Sequence, residues 1–418
     1  MTSLYPATTE KNRITIRMYD VGFGDCFLML FPHPKRSMPL KMLIDCGSFA
    51  QGKNKLTDVI SSIKAAVTDP DGQMRIDVLV ATHRHKDHVS GFGNSAWDDV
   101  EVGEVWMPWT EEPTGKDAQR LRLAQQQAAA LISRACAARG PGAEAAANIA
   151  SLALKNEAAM QVLWSGFMGD ALRRYLPADD EPVHSFRTRK LPGVMVHVLG
   201  PSRDEDTIRN LEPPVNQSYL LQSTKLSDRV SPFDVASWAT SPAQRSRSKV
   251  YRHLRLDLRT EAALQSANEA LDPLAIAAQL DQAINGTSLV LVFEFGNACL
   301  LFPGDAQWGT WERILADESS RELLKQVKFY KVGHHASHNG TPVDFVEELL
   351  SGGSRAAVSV RKFDSWPDIP RAPLLKALTE KTKGQVIRSD KAKLGAKQPW
   401  YEVVEDEFAS FVQIKVSC

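Results

Sequence analysis

The stretch Val78–Phe92, VLVATHRHKDHVSGF, decides how this chain is read. An apolar run ends at Ala81, and His83, His85, Asp87 and His88 follow within six residues. The run has no polar alternation, which suits a strand buried on both faces. Imidazole and carboxylate are donors for zinc and its first-row neighbours. In an extended segment residues 83 and 85 point the same way. Asp87 and His88 then turn toward a second position, and Gly91 allows a tight turn into a helix. The competing reading is an ordinary polar loop, which seldom carries this spacing directly after a buried strand.

Three distant stretches echo this one. MLIDCG ends a strand at Asp45, LLFPGDA ends one at Asp305, and YKVGHHASHNG ends one at His334 and His335. Taken singly, a Gly-Asp after a strand reads as a turn and a histidine pair as surface. Sites in layered α/β proteins gather at strand ends. Four strands therefore bring His or Asp to what can be one edge.

The rest of the chain frames these pieces. Its 418 residues, 43% hydrophobic and 24% charged, suit a globular protein of one large domain or two ordinary ones. We read a single α/β domain over 1–418, with a mainly helical insertion at 111–190 and a second insertion at 202–283. Strands are expected within 13–31, 41–47, 76–83, 102–109, 193–201, 287–305, 327–335 and 356–362, and a helix over 55–67. The 287–305 pair reads as a hairpin turning near Gly296 and Asn297. Formal net charge is zero, so a nucleic-acid or membrane partner would need a local patch. The start, MTSLYPATTEKNR, has no apolar signal region, and the apolar run near 288–302 is shorter than the roughly 20 residues of a bilayer span. Five scattered cysteines (26, 46, 136, 299 and 418) without a CxxC pair argue against a disulfide framework. The expectation is a cytoplasmic protein without a membrane segment.

Six motifs then occur in order: DVGFGDC (20–26), LIDCG (43–47), THRHKDHVSG (82–91), NGTSLVLV (285–292), LLFPGDA (300–306) and KVGHHASHNG (331–340). This set resembles the metallo-β-lactamase superfamily, in the branch of the hydrolase domain of the competence protein ComEC. The resemblance covers 13–110, 190–201 and 285–362. It implies a four-layer αββα sandwich with two divalent metal ions at one edge, zinc first and manganese second. It implies that His83 and His85 hold the first metal. Asp87, His88 and one of His334 or His335 hold the second, and Asp305 bridges them. Asp45 and Asp20 would support these ligands from behind. The resemblance further implies a hydroxide activated by both metals, with catalytic parts for Asp87, His334, His335 and His338.

The superfamily often has a further histidine for the first metal. The candidates in this chain are His184, His197 and His253, and His197 reads better as a satisfied core residue. Asn285 and Ser288, or Asn216 and Ser218 in a competing echo, can face the site instead. Substrate contacts are sought in Arg84, Lys86 and Lys331, and in Arg252 and Arg255 of RSRSKVYRHLRLDLR (245–259). That segment carries six Lys or Arg against one Asp and suits a phosphate backbone, although a solvated helix face has the same composition. Trp106 and Trp109 read as packing residues.

The expected function is a metal-dependent phosphodiesterase or nuclease. A hydrolase of a small ester, lactone or lactam, and a non-catalytic scaffold of the same fold, remain as alternatives. The helical insertion would serve as a lid or as a surface for a protein partner.

Overall fold

The protein is described here, as a computed structural model, over residues 12–137, 156–219, 280–362 and 368–418. The segment carrying Tyr251, Arg252, His253 and Arg255 lies outside the described residues, as does most of the 202–283 insertion.

Two mixed sheets dominate the mixed α/β architecture. In the first half of the chain the strands are β1 (Arg13–Tyr19), β2 (Cys26–Phe31), β3 (Leu40–Cys46), β4 (Met74–Val80), β5 (Val100–Pro108), β6 (Leu172–Leu176), β7 (His184–Phe186) and β8 (Val194–Gly200). In the second half they are β9 (Val290–Phe295), β10 (Ala298–Phe302), β11 (Val327–Lys331), β12 (Arg355–Val358), β13 (Val386–Arg388), β14 (Lys397–Gln398), β15 (Tyr401–Glu405) and β16 (Ser410–Ser417). One sheet has nine strands in the order β14-β15-β16-β1-β2-β3-β4-β5-β6, the other seven in the order β13-β12-β11-β10-β9-β8-β7. Strands β3 to β6 run parallel to one another, and so do β10 to β13.

Side-chain alternation along the strands sorts most of the described core into three large apolar clusters. Phe27, Met29 and Phe31 of β2 join Leu300 and Phe302 of β10 in a cluster shared by both sheets. The intervening Cys26, Leu28 and Leu30 join Val59, Ile60 and Ile63 of α1 (Leu56–Val67). On the second sheet, Cys299 and Leu301 join residues of α5 (Trp308–Ala316), α6 (Glu318–Lys325) and α7 (Ala372–Lys381). Both faces of β2 and β10 are therefore apolar, which is why their sequences show no polar alternation.

The 111–190 segment, expected as a mainly helical insertion, is not helical throughout. It contains α3 (Lys116–Ala137) and α4 (Glu157–Ser165), but also β6 and β7, each of which extends a sheet at its edge. β6 reads LRRYL, and its two arginines hide an edge strand that is only partly buried. The C-terminal residues, which the motifs leave unexplained, return to the first sheet, where β16 pairs with β1 along seven residues. Among the described residues no helix is long and apolar enough to cross a membrane.

Phe302 is buried at the junction of the sheets, with ring centroids of Phe27, Phe293 and Phe329 at 5.6, 6.0 and 5.5 Å. Phe302→Ala is expected to cost about 3–5 kcal/mol, read as a lower urea midpoint with unchanged far-UV circular dichroism of the folded state.

Candidate metal centre

The site forms where parallel strands end. β3 delivers Asp45, and the turn after β4 delivers Thr82 to His88, the last three in α2 (Lys86–Val89). The turn after β10 delivers Asp305, and the turn after β11 delivers His334 and His335. Asp45, His334, His335 and Ala336 adopt left-handed backbone conformations, with φ of 55°, 46°, 49° and 65°. For non-glycine residues such geometry costs about 1–3 kcal/mol each and persists only where surrounding structure enforces it. Gly47 lets the loop close: a Cβ there would lie 2.5 Å from backbone atoms of Asp87 and His88.

One group of donors is compact. Atoms of Asp87, His88, Asp305 and His335, all buried, lie within 4.8 Å of one another and can hold a metal ion. His335 Nδ1 donates to the Ser359 carbonyl at 2.8 Å, which leaves its Nε2 facing Asp87 Oδ2 at 3.0 Å. His88 Nδ1 meets Asp45 Oδ2 at 2.8 Å, and its Nε2 faces Asp305 Oδ2 at 3.2 Å. An imidazole lone pair and a carboxylate oxygen are both acceptors, so a proton or a cation has to lie between them. Each imidazole also has the outer partner that metal-ligating histidines use to fix ring and tautomer. The donor set fits a divalent cation on both counts.

A second group adjoins it. His83 Nε2 is 3.1 Å from His85 Nδ1, and His85 Nδ1 is 2.8 Å from Asn285 Oδ1. Behind the first group, Asp45 holds the 82–88 turn by accepting from the Thr82 amide at 2.8 Å and its hydroxyl at 2.7 Å. Ser288 Oγ accepts from the Asp305 amide at 3.1 Å. His334 Nδ1 donates to Asn339 Oδ1 at 3.0 Å, and its Nε2 lies 4.0 Å from Asp305 Oδ2. The structure thus puts His335, rather than His334, in the compact group.

Electrostatics follow from burial and crowding. Burial holds His83 well below the ordinary histidine range and His85 at about 4. Burial opposes charge on His88 too, but the carboxylates of Asp305, Asp45 and Asp87 outweigh it and raise its pKa well above the usual value. Burial likewise opposes ionisation of Asp305, yet His88, Lys331, His334 and His335 hold its carboxyl well below the usual range.

Several residues stand elsewhere than the sequence suggested. Asp20 turns away and accepts from the Gly22 amide at 3.2 Å, while Asp25 of the same motif reaches the cluster, 3.8 Å from His88 Nδ1. Lys331 is buried in an ion pair with Asp25 and lies 3.5 Å from Asp305 Oδ1, so it is shielded from substrate. Arg84 is buried against Glu111 at 3.8 Å, and its carbonyl accepts from Asn156 at the head of α4. The 111–190 segment therefore braces the metal loop. Lys86 lies over the Phe49 ring at 5.5 Å. His338 is buried with no hydrogen-bond partner on either ring nitrogen among the described residues; burial, then Arg371 and His334, lower its pKa to about 3, so it stays neutral. That removes it as an imidazolium proton donor near neutral pH.

His184 pairs with Asp179, and His197 with Ser185 and Glu294, away from the cluster. Trp106 and Trp109 donate to Glu104 and to the Ser202 carbonyl, as packing residues do. Asp281, like Asp25, is a residue that sequence reading missed. It is buried 3.6 Å from His85 Nε2 and accepts from Asn285 Nδ2 at 3.3 Å, and no motif flags it.

Asp45→Asn keeps the hydroxyl contact but loses the carboxylate opposite His88, and is expected to weaken zinc binding by about 10–100-fold, read by competition with a chromophoric chelator. A second expectation concerns pH. Burial, then the charges of Asp87 and Asp305, raise the Asp281 pKa well above its ordinary 3.8. A raised folded-state pKa contributes stability that is complete below the unfolded value and lost as pH rises through the folded one. An amide never ionises. In EDTA-treated protein the urea midpoint of Asp281→Asn should therefore gain on wild type as pH rises from about 4, and a constant difference would refute the assignment.

No protein-family model matches this chain and no curated protein matches it, so the functional reading rests on these side chains.

Proposed function

We propose that the protein is a metal-dependent hydrolase that cleaves phosphodiesters, nucleic acid among them. The observation that carries this reading is the Asp87, His88, Asp305 and His335 group, in which each imidazole is backed by its own outer partner and aimed at a carboxylate. The His83, His85 and Asn285 group beside it supports a second cation. Charge agrees: at the site the five buried aspartates 25, 45, 87, 281 and 305, with Lys331 ion-paired to Asp25, leave four negative charges when ionised, the charge of two divalent cations. Zinc suits the imidazoles and manganese the carboxylates.

The three apolar clusters support a helix–sheet–sheet–helix order, and we infer the αββα sandwich of the metallo-β-lactamase superfamily. The six ordered motifs favour the ComEC-like branch, and with it phosphodiesters over lactams.

Bound there, two divalent cations would acidify a shared water and offset charge developing on the attacked phosphoryl group. The protein's own work is orientation. Asp45 and Ser359 hold the rings of His88 and His335. Ser288 and Lys331 hold Asp305 in place. Asn339 and Ser337 fix His334 through Nδ1, which leaves Nε2 as an acceptor facing the Asn285 amide. Such buried, prearranged groups lose little reorganisation energy when charge develops.

The test is to assay bis-p-nitrophenyl phosphate, single- and double-stranded DNA, RNA and a lactam, with zinc or manganese added. Wild type should cleave one of the phosphodiesters. The double variant Asp87→Ala, His88→Ala should lose that activity by more than the about 100-fold typical of losing an outer partner alone. Lactam cleavage alone, or an inert wild type under every metal, would overturn the proposal.

A further inference from the structure

We propose that Asn285 supplies, through Oδ1, the third protein donor to a divalent cation held by His83 and His85, and that Asp281 is the positioning residue for both His85 and Asn285. The inference rests on the two-cation reading above and identifies the ligand which that reading left open.

Three polar atoms converge, and a cation can take the place of a ring proton that would otherwise bridge them. His83 Nε2, His85 Nδ1 and Asn285 Oδ1 are linked by separations of 3.1 and 2.8 Å. Donors around one tetrahedral zinc, each about 2.1 Å from it, lie about 3.4 Å apart. The orientation of the amide is fixed by its other end. Asn285 Nδ2 points at Asp281 Oδ2, 3.3 Å away, and at His334 Nε2, 3.4 Å away. Ionised, as it would be beside a bound cation, Asp281 only accepts, and the His334 ring already donates through Nδ1 to Asn339 Oδ1. The Asn339 amide is oriented in turn by its donation to Gln307 at 2.7 Å. The end of Asn285 facing Asp281 and His334 must therefore be the donor NH2, so the oxygen faces the two histidines.

Asp281 also explains the ring of His85. Among the described residues, Nε2 of that ring is buried without a hydrogen bond and has Asp281 Oδ1 at 3.6 Å. Ligation through Nδ1 places the ring proton on Nε2, facing that carboxylate. This is the outer arrangement that orients metal-binding histidines. Asp281 and Asn285 are four residues apart in the helical stretch 280–285, which sets both on one face. One carboxylate thus serves two donors.

The consequence is an asymmetric pair of sites. The Asp87, His88, Asp305 and His335 site has two carboxylates to offset the cation's charge. The other has two imidazoles and a neutral amide oxygen as its own donors, with Asp305 beside it. It should bind the more weakly. A carbonyl oxygen in place of a third imidazole also shifts preference from zinc toward manganese.

Calorimetric titration of EDTA-treated full-length protein with Zn2+ and with Mn2+ tests this. Wild type should show two steps of unequal affinity. Asn285→Leu should weaken the second step by about 100-fold or abolish it, and Asp281→Asn should weaken it by about 10-fold, with the first step kept. Asn285→His should tighten the second step for zinc and not for manganese, a gain that a folding defect cannot imitate. Two unchanged steps in Asn285→Leu would overturn this inference alone and leave the hydrolase reading standing. A single step in wild type would also overturn it, since the four-residue site suffices to explain one cation. No binding by wild type would overturn both.

Discussion

Imidazole nitrogens and carboxylate oxygens face one another across a buried pocket, and most of the local structure exists to keep them there. His88 Nε2 points at Asp305, and His335 Nε2 points at Asp87, at 3.2 and 3.0 Å. Their other ring nitrogens are committed to Asp45 and to the Ser359 carbonyl. Unprotonated, such pairs repel. Five aspartates share this neighbourhood with one lysine, and burying that much unpaired charge is prohibitive. The pocket has two ways out. Protons bind, as the raised pKa values of His88, Asp45 and Asp281 describe, or divalent cations bind in their place. Our account takes the second as the working state, and proton release on metal binding follows from it.

The scaffold's contribution is to bring strand ends from both sheets to one place and to enforce awkward backbone there. Asp45 and the His334–Ala336 run are left-handed without being glycine. Gly47 makes room for the metal loop to approach. Strain of this kind at a polar cluster suits prearrangement of ligands rather than general stability. The bracing extends outward: α4 holds the loop through the Arg84 carbonyl, and the 280–285 turn holds it through Asn285. Parts of the chain that look like insertions in the sequence therefore touch the chemistry.

Much of this was legible in the sequence because it depends on short-range pattern. Buried strands without alternation, ending in His or Asp, located β3, β4, β10 and β11, and their order along the chain suggested a shared edge. What was hidden depends on long-range partners. β6 is an edge strand whose arginines satisfy Glu104 and nearby carbonyls, so its polarity reads as helix surface. β16, SFVQIKVS, does alternate, but only its pairing with β1 explains why a strand is needed there. Asp20 and Asp25 differ in role through a turn that no local pattern specifies. Lys331 and Arg84 looked like substrate contacts because charge is usually exposed, and each is instead buried against an acid. Asp281 has no motif, since its role comes from a helical turn packed against a loop two hundred residues away.

The central claim is that this polar cluster is a two-cation site. Its most direct test is crystallography of the zinc- or manganese-loaded protein, with data collected on both sides of the metal absorption edge. The account predicts two anomalous peaks about 3.5–4 Å apart, one among Asp87, His88, Asp305 and His335 and one beside His83, His85 and Asn285. A loaded crystal with no anomalous peak in this cluster, or with its metal bound elsewhere on the protein, would contradict it.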